Sequence, residues 1–418
     1  MTADALTTRL DPHDLYQRAV SAAEASEDPF GLLGELVAQG QFHQAPDGTT
    51  IVYGYARAKE QLRSPQLRKG GHHVSSDNSA FSPEQRAALA AAAPPDPGML
   101  TSIDDPDHAR LRRIVSRAFA PDAVEQYRDV TRRALDGILA GLPPDRPIDL
   151  ITDLCDHIPS QVIGHLIGVP LPDRAHFMQL SKGQAVGRDP KSSLGTQLEA
   201  LRIRREMFAY IAELIESARG NVDESTPLGR LVAMEQSGEN VTPEELVSLV
   251  ALMYSAGFGT TVRLLSNALT ALMQFPDQAA LLRANPDRAR AATDEAVRIN
   301  PPVMDVSYLA AGGAEIAGVT MAPGSRVTIV LGAANRDPRV FDHPAAFDIT
   351  APRKGTQPLS FGFGTHYCLG VALSKLETDV VLTEMVTRFP AMRLVETPVA
   401  VPSFRSREYR SVRAVLAP

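Results

Sequence analysis

The sequence predicts a mainly α-helical protein with a minor β-sheet region, built around one long central helix. Helical periodicity dominates residues 107–220, and one uninterrupted helix is predicted over residues 242–275. Strand-like alternation is limited to short segments such as residues 315–331. There is no internal repeat and no linker that would separate domains. We therefore expect residues 1–418 to form a single domain, with residues 1–28 as a candidate loose N-terminal segment.

Composition restricts the class of protein. The 418 residues are 44% hydrophobic and carry 42 Lys and Arg against 49 Asp and Glu, a formal charge of −7. A nucleic-acid binder usually has a basic excess, so we expect no nucleic-acid partner. The chain start lacks the basic and apolar regions of a secretion signal, and the longest nearly apolar run, residues 246–258, is shorter than the roughly 20 residues that span a bilayer. These features predict a cytoplasmic protein without a membrane segment.

The N-terminal part of the chain combines a helix, a hairpin and a loop. Residues 29–40 are predicted to form a helix that stops at a glycine. Residues 41–55 are typical of a β-hairpin, with Asp47-Gly48 as its turn. Residues 64–98 are rich in Ser, Gly, Pro and Ala, and we expect a long irregular loop there.

The long central helix has clear start and stop signals. Thr242 is the predicted N-cap, Pro243 is the first helical residue, and Glu245 completes a capping box. Apolar residues continue to Phe275, where Pro276 ends the helix. At 1.5 Å per residue this helix is roughly 50 Å long, and its apolar residues cover more than one face. We therefore expect it to be buried.

The C-terminal part of the chain alternates between strands and helices. A helix over residues 286–299 precedes a strand at 315–320, a Pro-Gly turn and a second strand at 326–331. A last helix is predicted over residues 371–388, and a strand-like pair closes the chain.

The most informative segment is the glycine-rich loop around Cys368, which runs Phe-Gly-Phe-Gly-Thr-His-Tyr-Cys-Leu-Gly over residues 361–370. Its glycines let the backbone bring N–H groups toward the sulfur, and the helix that follows directs its positive end there. A single thiolate suits one axial bond to a haem iron but cannot alone build a zinc or iron–sulfur site. The alternative is a structural cysteine on a tight turn. Cys155 is the other cysteine, and two cysteines make no disulfide framework.

This loop resembles the haem-binding signature of the cytochromes P450, specifically of their soluble bacterial class. The resemblance implies a roughly triangular haem fold that binds haem b, iron protoporphyrin IX, with Cys368 as the axial thiolate. It also implies that Phe361 packs near the sulfur and that His366 contacts a haem propionate. The glycines of the signature are Gly362, Gly364 and Gly370.

Glu295 and Arg298 match the Glu-x-x-Arg element of the same family. Their i, i+3 spacing places both side chains on one helix face. Such a pair is usually solvated, so the spacing alone is a weak signal. The resemblance implies a structural role beneath the haem, with Arg336 or Arg339 as the additional partner.

Residues 105–112 are similar to the family's haem-flanking helix. His108 and Arg112 lie at i, i+4 and therefore project together, which suits binding of one propionate. The alternative is a solvated basic face. We interpret the neighbouring Arg110, Arg113 and Arg117 as a basic surface patch on which an acidic ferredoxin docks.

The long helix departs from the family at the position of its acid. The family places small residues, an acid and a threonine here, so that substrate and O2 have room and protons reach the oxygen. This chain has Ala256, Gly257, Phe258, Gly259 and Thr260, which keeps the alcohol but replaces the acid with glycine. A local helix distortion is expected beside the two glycines. Either water and backbone carbonyls still deliver protons, or proton delivery is poor and the enzyme couples substrate radicals instead.

A second departure is Tyr308, which stands where the family usually has a propionate-binding arginine. The resemblance makes its phenol a neutral donor to a propionate, unless another arginine substitutes. The same segment contains Asp305, which either contacts substrate, supplies protons or only caps a turn. By the resemblance, the candidate substrate contacts are Phe258, Val303, Met304, Asp305, Arg405 and Tyr409.

The resemblance implies a monooxygenase that uses O2 to hydroxylate or epoxidise a small organic molecule in secondary metabolism. No GxGxxG fingerprint or further cysteine cluster is present, so electrons are expected from a separate ferredoxin and ferredoxin reductase. The alternative within catalysis is oxidative coupling, cyclisation or desaturation of an aromatic or peptide-like substrate, such as a cyclic dipeptide. A third interpretation is a non-catalytic haem sensor, and a fourth is a relative that uses peroxide or NO.

Overall fold

The computed structural model describes residues 10–70, 81–94, 98–119, 124–143, 146–188, 192–353 and 355–417. Within those residues the chain is mainly helical with small sheets, which confirms the predicted fold class. Contacts divide it into two compact units. Unit 1 comprises residues 1–67, 294–367 and 398–410, and unit 2 comprises residues 68–293, 368–397 and 411–418. The expectation of a single domain stays a prediction.

The helices follow one another along the chain as α1 (Pro12–Glu24), α2 (Phe30–Gln39), α3 (Tyr55–Gln61), α4 (Pro83–Ala92), α5 (Asp107–Ser116), α6 (Tyr127–Leu139), α7 (His157–Leu166), α8 (Arg174–Ala185), α9 (Leu194–Gly220), α10 (Pro227–Gln236), α11 (Pro243–Gln274), α12 (Pro276–Ala284), α13 (Ala289–Ile299), α14 (Leu331–Ala334) and α15 (Val371–Arg388). A π-helical turn, Ile151–Cys155, precedes α7.

The strands are short and form three sheets in the described part of the chain. They are β1 (Phe42–Gln44), β2 (Thr50–Val52), β3 (Leu67–Arg68), β4 (Ile148–Asp149), β5 (Asp305–Ala310), β6 (Glu315–Ile316), β7 (Val319–Thr320), β8 (Arg326–Val330), β9 (Arg393–Leu394) and β10 (Arg413–Val415).

The main sheet has the strand order β1-β2-β8-β5-β3. β2 pairs in parallel with β8, which pairs antiparallel with β5 so that Tyr308 lies opposite Val327. Because side chains alternate along a strand, the sheet separates two apolar clusters. Tyr308 and Ile329 belong to one cluster, and Val330 belongs to the other, which α1 and α2 cover.

Helix α1 lies within the N-terminal segment, so the expectation that residues 1–28 are loose is wrong for residues 12–24. Asp11 caps α1 by accepting the backbone N–H groups of His13 and Asp14, at 2.7 and 3.1 Å. Leu15 and Ala19 on α1 are fully buried in the apolar cluster shared with α2. Residues 1–9 lie outside the described residues.

The predicted helix and hairpin before residue 55 are confirmed as α2 and the β1–β2 pair, with Gly48 in the left-handed region at φ 82°. The long irregular loop predicted at residues 64–98 is partly wrong, because α4 occupies part of it. Ser82 and Gln85 form a capping box at its start. Residues 71–80 and 95–97 of the predicted loop lie outside the described residues.

The long central helix is confirmed as α11, and the Thr242–Glu245 capping box forms as predicted. It packs against α7, α9 and α15 within unit 2. The α-helix is continuous through Gly257 and Gly259, so the expected local distortion is wrong. Gly257 packs closely against α7, where a Cβ would lie 2.7 Å from Ile163 Cδ1. By length and hydropathy α11 is able to cross a bilayer, but most of its apolar window is buried inside the protein.

The C-terminal part largely follows the prediction. α13 and α15 match the expected helices, and the closing pair is β9–β10, which is joined by the unanticipated β4. The single strand predicted at residues 315–320 is instead a hairpin of two short strands, β6 and β7, with two residues each. Its turn places Ala317 and Gly318 at positive φ, 50° and 84°.

Candidate functional site

Two tight turns shape the loop that precedes Cys368. Gly362 and Gly364 both have φ 72°, a conformation that favours glycine. A Cβ on Gly364 would also lie 2.6 Å from the carbonyl oxygen of Leu62, so the close backbone approach excludes any side chain. Gly370 has no such requirement, because its φ is −82° and no atom lies within 4 Å of a Cβ placed there.

The Cys368 thiol lies half-buried directly before α15. Burial raises its pKa, whereas the backbone N–H of Gly370, which donates to the sulfur, and the charge of Arg112 lower it. The amide donor that the sequence predicts near the sulfur is therefore present. Cys155, by contrast, is fully buried in the π-helical turn, where burial and then Asp156 raise its pKa well above the ordinary value. Only Cys368 is accessible to a ligand.

His108 and Arg112 project from the inward face of α5. His108 is 1% exposed, and its Nδ1 lies 3.5 Å from Asp105 Oδ1. Burial, followed by the charge of Arg112, lowers the pKa of His108. Burial also lowers the pKa of Arg112, and Cys368 acts in the opposite direction. This environment argues against a solvated basic face and places one cation near the thiol.

Two of the three arginines in the predicted basic surface patch, Arg110 and Arg117, form ion pairs, which corrects that prediction for them. Arg110 pairs with Glu245 at 2.6 Å, and Arg117 pairs with Glu239 at 3.1 Å. Both charges are therefore neutralised by residues at and before the start of α11. Arg113 is exposed.

Tyr308 and His366 lie side by side in unit 1. Their ring centroids are 6.4 Å apart, and Tyr308 is 5% exposed. Phe361 is half-buried in the turn just before the glycines.

Sequence reasoning missed two cations beside the cysteine loop, Lys59 and Arg63. They lie 4.9 and 4.4 Å from the centroid of the Phe363 ring. Their i, i+4 spacing was the available signal.

Glu295 and Arg298 form a bidentate ion pair with both contacts at 2.8 Å, and their side chains are 2% and 3% exposed. Arg298 also donates to the carbonyl oxygens of residues 335, 344 and 346. The additional partner of Glu295 is Arg353, not the predicted Arg336 or Arg339. Arg336 donates to the Ile299 carbonyl, and Arg339 pairs with Asp337.

The predicted oxygen-binding turn of α11 exposes one face. Ala256 is exposed and Thr260 is half-buried, and the Thr260 hydroxyl donates to the Ala256 carbonyl at 2.6 Å. Gly257 contacts α7, because a Cβ there would lie 2.7 Å from Ile163 Cδ1. The nearest atom to a Cβ on Gly259 is Arg263 Nη1, at 3.9 Å, which is an ordinary contact.

Phe258 is corrected from a substrate contact to a packing residue. It follows Ala256 by two residues, which is about 200° around the helix and therefore on the opposite face. Its ring is 4% exposed and stacks on Tyr254 with 5.8 Å between centroids. Tyr254 in turn contacts Phe177 on α8 edge-to-face, at 4.4 Å.

The other predicted substrate contacts divide into packing and polar residues. Met304 and Tyr409 are 2% and 6% exposed and belong to the interior of unit 1, which corrects their assignment. Asp305 pairs with Arg405 at 3.8 Å, on the sheet face opposite Tyr308. Burial raises the pKa of Asp305, and Arg405 and Arg326 act against that rise. Val303 is half-buried beside the apolar cluster that contains Tyr308.

The chemistry of these groups fits an iron porphyrin. Within unit 2, one accessible thiol faces an amide donor and a cation, as an axial thiolate requires. His108 and Arg112 in unit 2, and Tyr308 and His366 in unit 1, are donors suited to carboxylates. Among the described residues no group of three His, Cys, Asp or Glu offers a competing metal site.

Comparison with known proteins gives the same result. A family model described as Cytochrome P450 matches residues 191–397. The vitamin D(3) 25-hydroxylase of Pseudonocardia autotrophica is 31% identical over 93% of this chain and 92% of its own length. The cytochrome P450 monooxygenase PikC of Streptomyces venezuelae is 31% identical over 93% of this chain and 90% of its own.

The solved structures agree. Epothilone D-bound cytochrome P450epoK superposes with a TM-score of 0.84 at 25% identity, covering 96% of this chain and 98% of the other. P450BioI in complex with an acyl carrier protein superposes with a TM-score of 0.82 at 27% identity, covering 94% of this chain and 100% of the other. The chain thus belongs to the cytochrome P450 family, and it is a haem-thiolate monooxygenase that uses protoporphyrin IX haem and O2 to oxidise a small organic molecule.

Proposed function

We propose that Cys368 is the axial thiolate of this haem. The observation that carries the assignment is the environment of its sulfur, which faces the Gly370 N–H at the start of α15 and the charge of Arg112. Both favour the thiolate and so act against burial, which raises the pKa of Cys368. The haem, when bound, supplies the iron at which O2 is activated for transfer of one oxygen atom to the substrate.

The propionates are assigned to two pairs of residues. His108 and Arg112 bind one propionate, because both lie on the inward face of α5. Tyr308 and His366 bind the other, because their rings are neighbours and Tyr308 replaces an arginine with a neutral donor. These contacts orient the porphyrin by charge-assisted hydrogen bonds.

Thr260 acts at its hydroxyl. In the structure Oγ1 donates its proton to the Ala256 carbonyl, which leaves its lone pairs free to accept from a proton carrier on the exposed face of α11. Gly259 supplies no carboxylate, so protons arrive by water or by backbone groups. The named relatives favour oxygen insertion over the coupling alternative.

The reaction is hydroxylation or epoxidation of a secondary metabolite in the cytoplasm. Electrons come from a separate ferredoxin and its reductase, because the chain has no nucleotide fingerprint or cysteine cluster of its own. Reconstitution with ferredoxin and reductase should give a product heavier by one oxygen atom. A product lighter by two hydrogen atoms would support coupling or desaturation instead.

The axial ligand is tested with Cys368→Ser, and Cys155→Ser is the matched control. The reduced carbon monoxide complex of a thiolate-ligated haem has a red-shifted Soret band, which Cys368→Ser should abolish and Cys155→Ser should retain. Persistence of that band in Cys368→Ser would refute the assignment.

A further inference from the structure

We propose that Arg110 and Glu245 are positioning residues for the haem site. Their ion pair joins α5 to the first turn of α11. His108 and Arg112 lie on α5, and Thr260 lies further along α11. The inference rests on the proposed function, because it treats these three residues as parts of one site.

The contact is bidentate and partly shielded from water. Arg110 Nη2 lies 2.6 Å from Glu245 Oε1, and Arg110 Nη1 lies 3.0 Å from Oε2. The two side chains are 22% and 12% exposed. Arg110 Nη1 also donates to the Asn240 carbonyl at 2.6 Å, just before the helix begins. A bidentate guanidinium–carboxylate pair is stronger than an exposed ion pair, and it fixes the relative orientation of the two side chains as well as their distance.

Glu245 holds the start of α11 at the same time. Its Oε2 accepts the backbone N–H of Thr242 at 2.9 Å, and its own backbone N–H donates to Thr242 Oγ1 at 3.2 Å. One carboxylate therefore joins the helix cap to the guanidinium of Arg110. Consistent with this double use, the hydrogen bond from Arg110 lowers the pKa of Glu245.

Helix geometry connects this contact to the site. His108 and Arg112 lie two residues either side of Arg110, and each is therefore about 160–200° around α5 from it. α5 is held on one face by Glu245 and turns the other face toward Cys368. Thr260 follows Glu245 by 15 residues, roughly 22 Å along the same continuous helix. Loss of the pair would let α5 roll, and Arg112 would move relative to the thiol.

The chain offers a matched control in the same region. Arg117, just after α5, pairs with Glu239 at 3.1 Å, and these side chains are 56% and 39% exposed. This pair also joins the end of α5 to the segment before α11. It lacks the bidentate geometry and the helix cap, so its loss should have little effect.

The experiment uses the haem-loaded protein and measures the rate of haem transfer to excess apomyoglobin, together with the reduced carbon monoxide spectrum. Arg110→Gln and Glu245→Gln should each release haem about 5–10-fold faster, since a shielded charged hydrogen bond contributes on the order of a factor of ten. Glu245→Gln keeps a residue able to complete the capping box, so α11 still begins normally. Arg110→Gln also loses the hydrogen bonds to the Asn240 carbonyl and to Asp107. The double variant should therefore release haem at the rate of Arg110→Gln, because Glu245→Gln removes only a contact that Arg110→Gln has already lost.

Arg117→Gln should release haem at the wild-type rate. The inference is overturned if Arg110→Gln releases haem at the same rate as Arg117→Gln, even when both variants have a lower melting temperature. It is also overturned if the two single effects multiply in the double variant, since Arg110 and Glu245 would then act separately. Failure here leaves the axial assignment intact as long as Cys368→Ser loses the thiolate spectrum, so the two hypotheses fail independently.

Discussion

The rings of Tyr308 and His366 lie 6.4 Å apart at an interplanar angle of 59°. A phenol and an imidazole are thus neighbours on the strand β5 and on the turn before the cysteine. In the proposed site both donate to the same propionate, and neither needs a permanent positive charge. This predicts a haem held less tightly on that side than an arginine would allow.

Substitution of Tyr308 tests this arrangement. Tyr308→Phe removes the donor and should speed haem transfer to apomyoglobin by about 2–10-fold, the equivalent of one hydrogen bond. Tyr308→Arg should slow it, because a guanidinium donates bidentately to a carboxylate. Equal rates in Tyr308→Phe and the wild type would show that the hydroxyl does not contact the propionate.

Gly259→Glu should restore a proton source on α11. The position accepts a side chain, because the nearest atom to the new Cβ is Arg263 Nη1 at 3.9 Å, and Arg263 lies at i+4, a spacing that favours a carboxylate–guanidinium pair. We expect severalfold more product per hydrogen peroxide released, measured with a turned-over substrate. Gly259→Gln is the uncharged control, and an unchanged ratio in Gly259→Glu would show that this position does not limit proton delivery.

The buried Glu295–Arg298 pair has an exposed counterpart of identical spacing. Glu295→Gln leaves Arg298 buried without its carboxylate and should lower the free energy of unfolding by about 3–5 kcal/mol. Glu199 and Arg202 on α9 are also a Glu-x-x-Arg pair at 2.8 Å, but they are 56% and 61% exposed. Glu199→Gln should leave the free energy of unfolding nearly unchanged in the same denaturant titration, because water screens an exposed pair. Equal losses would mean that burial does not distinguish the two pairs.

Glu377 on α15 should make stability fall as the pH rises. It is 1% exposed, its Oε2 has no hydrogen-bond partner among the described residues, and burial raises its pKa to about 8. Between the ordinary value of 4.5 and 8 the unfolded chain loses a proton that the folded chain keeps. Below pH 4.5 the carboxyl is protonated in both states, and burial of Glu377 costs no proton-linked stability. Between pH 4.5 and 8 the free energy of unfolding falls by up to ~1.4 kcal/mol per pH unit.

Glu377→Gln removes that dependence. The difference in unfolding midpoint between the variant and the wild type should widen from pH 5 to pH 8 in favour of the variant. A constant difference across this range would show that Glu377 does not change its protonation on unfolding.

The elements that the sequence predicts best carry strong local signals. α11 begins at Pro243 after its cap Thr242, and α15 spans residues 371–388 as expected, because capping residues, prolines and apolar periodicity all agree there. The identity of the cysteine loop follows from one contiguous motif. Its left-handed glycines at 362 and 364 match the residue type that such turns require.

One of the errors depends on information that is not local, whereas two others concern signals that the local sequence carries. Arg353 contacts Glu295 across 58 residues, and no spacing rule reveals such a partner. α4 was overlooked because its alanine-rich sequence has little apolar contrast, although Ser82 and Gln85 carried a capping signal. The misassignment of Phe258 was avoidable, since helical periodicity alone separates it from the face that carries Thr260.

The discontinuity of unit 1 has a consequence for how the chain is made. β2, at residues 50–52, hydrogen-bonds in parallel to residues 327–329 of β8, and residues 398–410 complete the same unit. A ribosome has therefore to deliver most of the polypeptide before this sheet can close, and the nascent hairpin waits with an unsatisfied edge in the meantime. Release from the ribosome of chains cut short near residue 320 would leave that edge permanently open to aggregation.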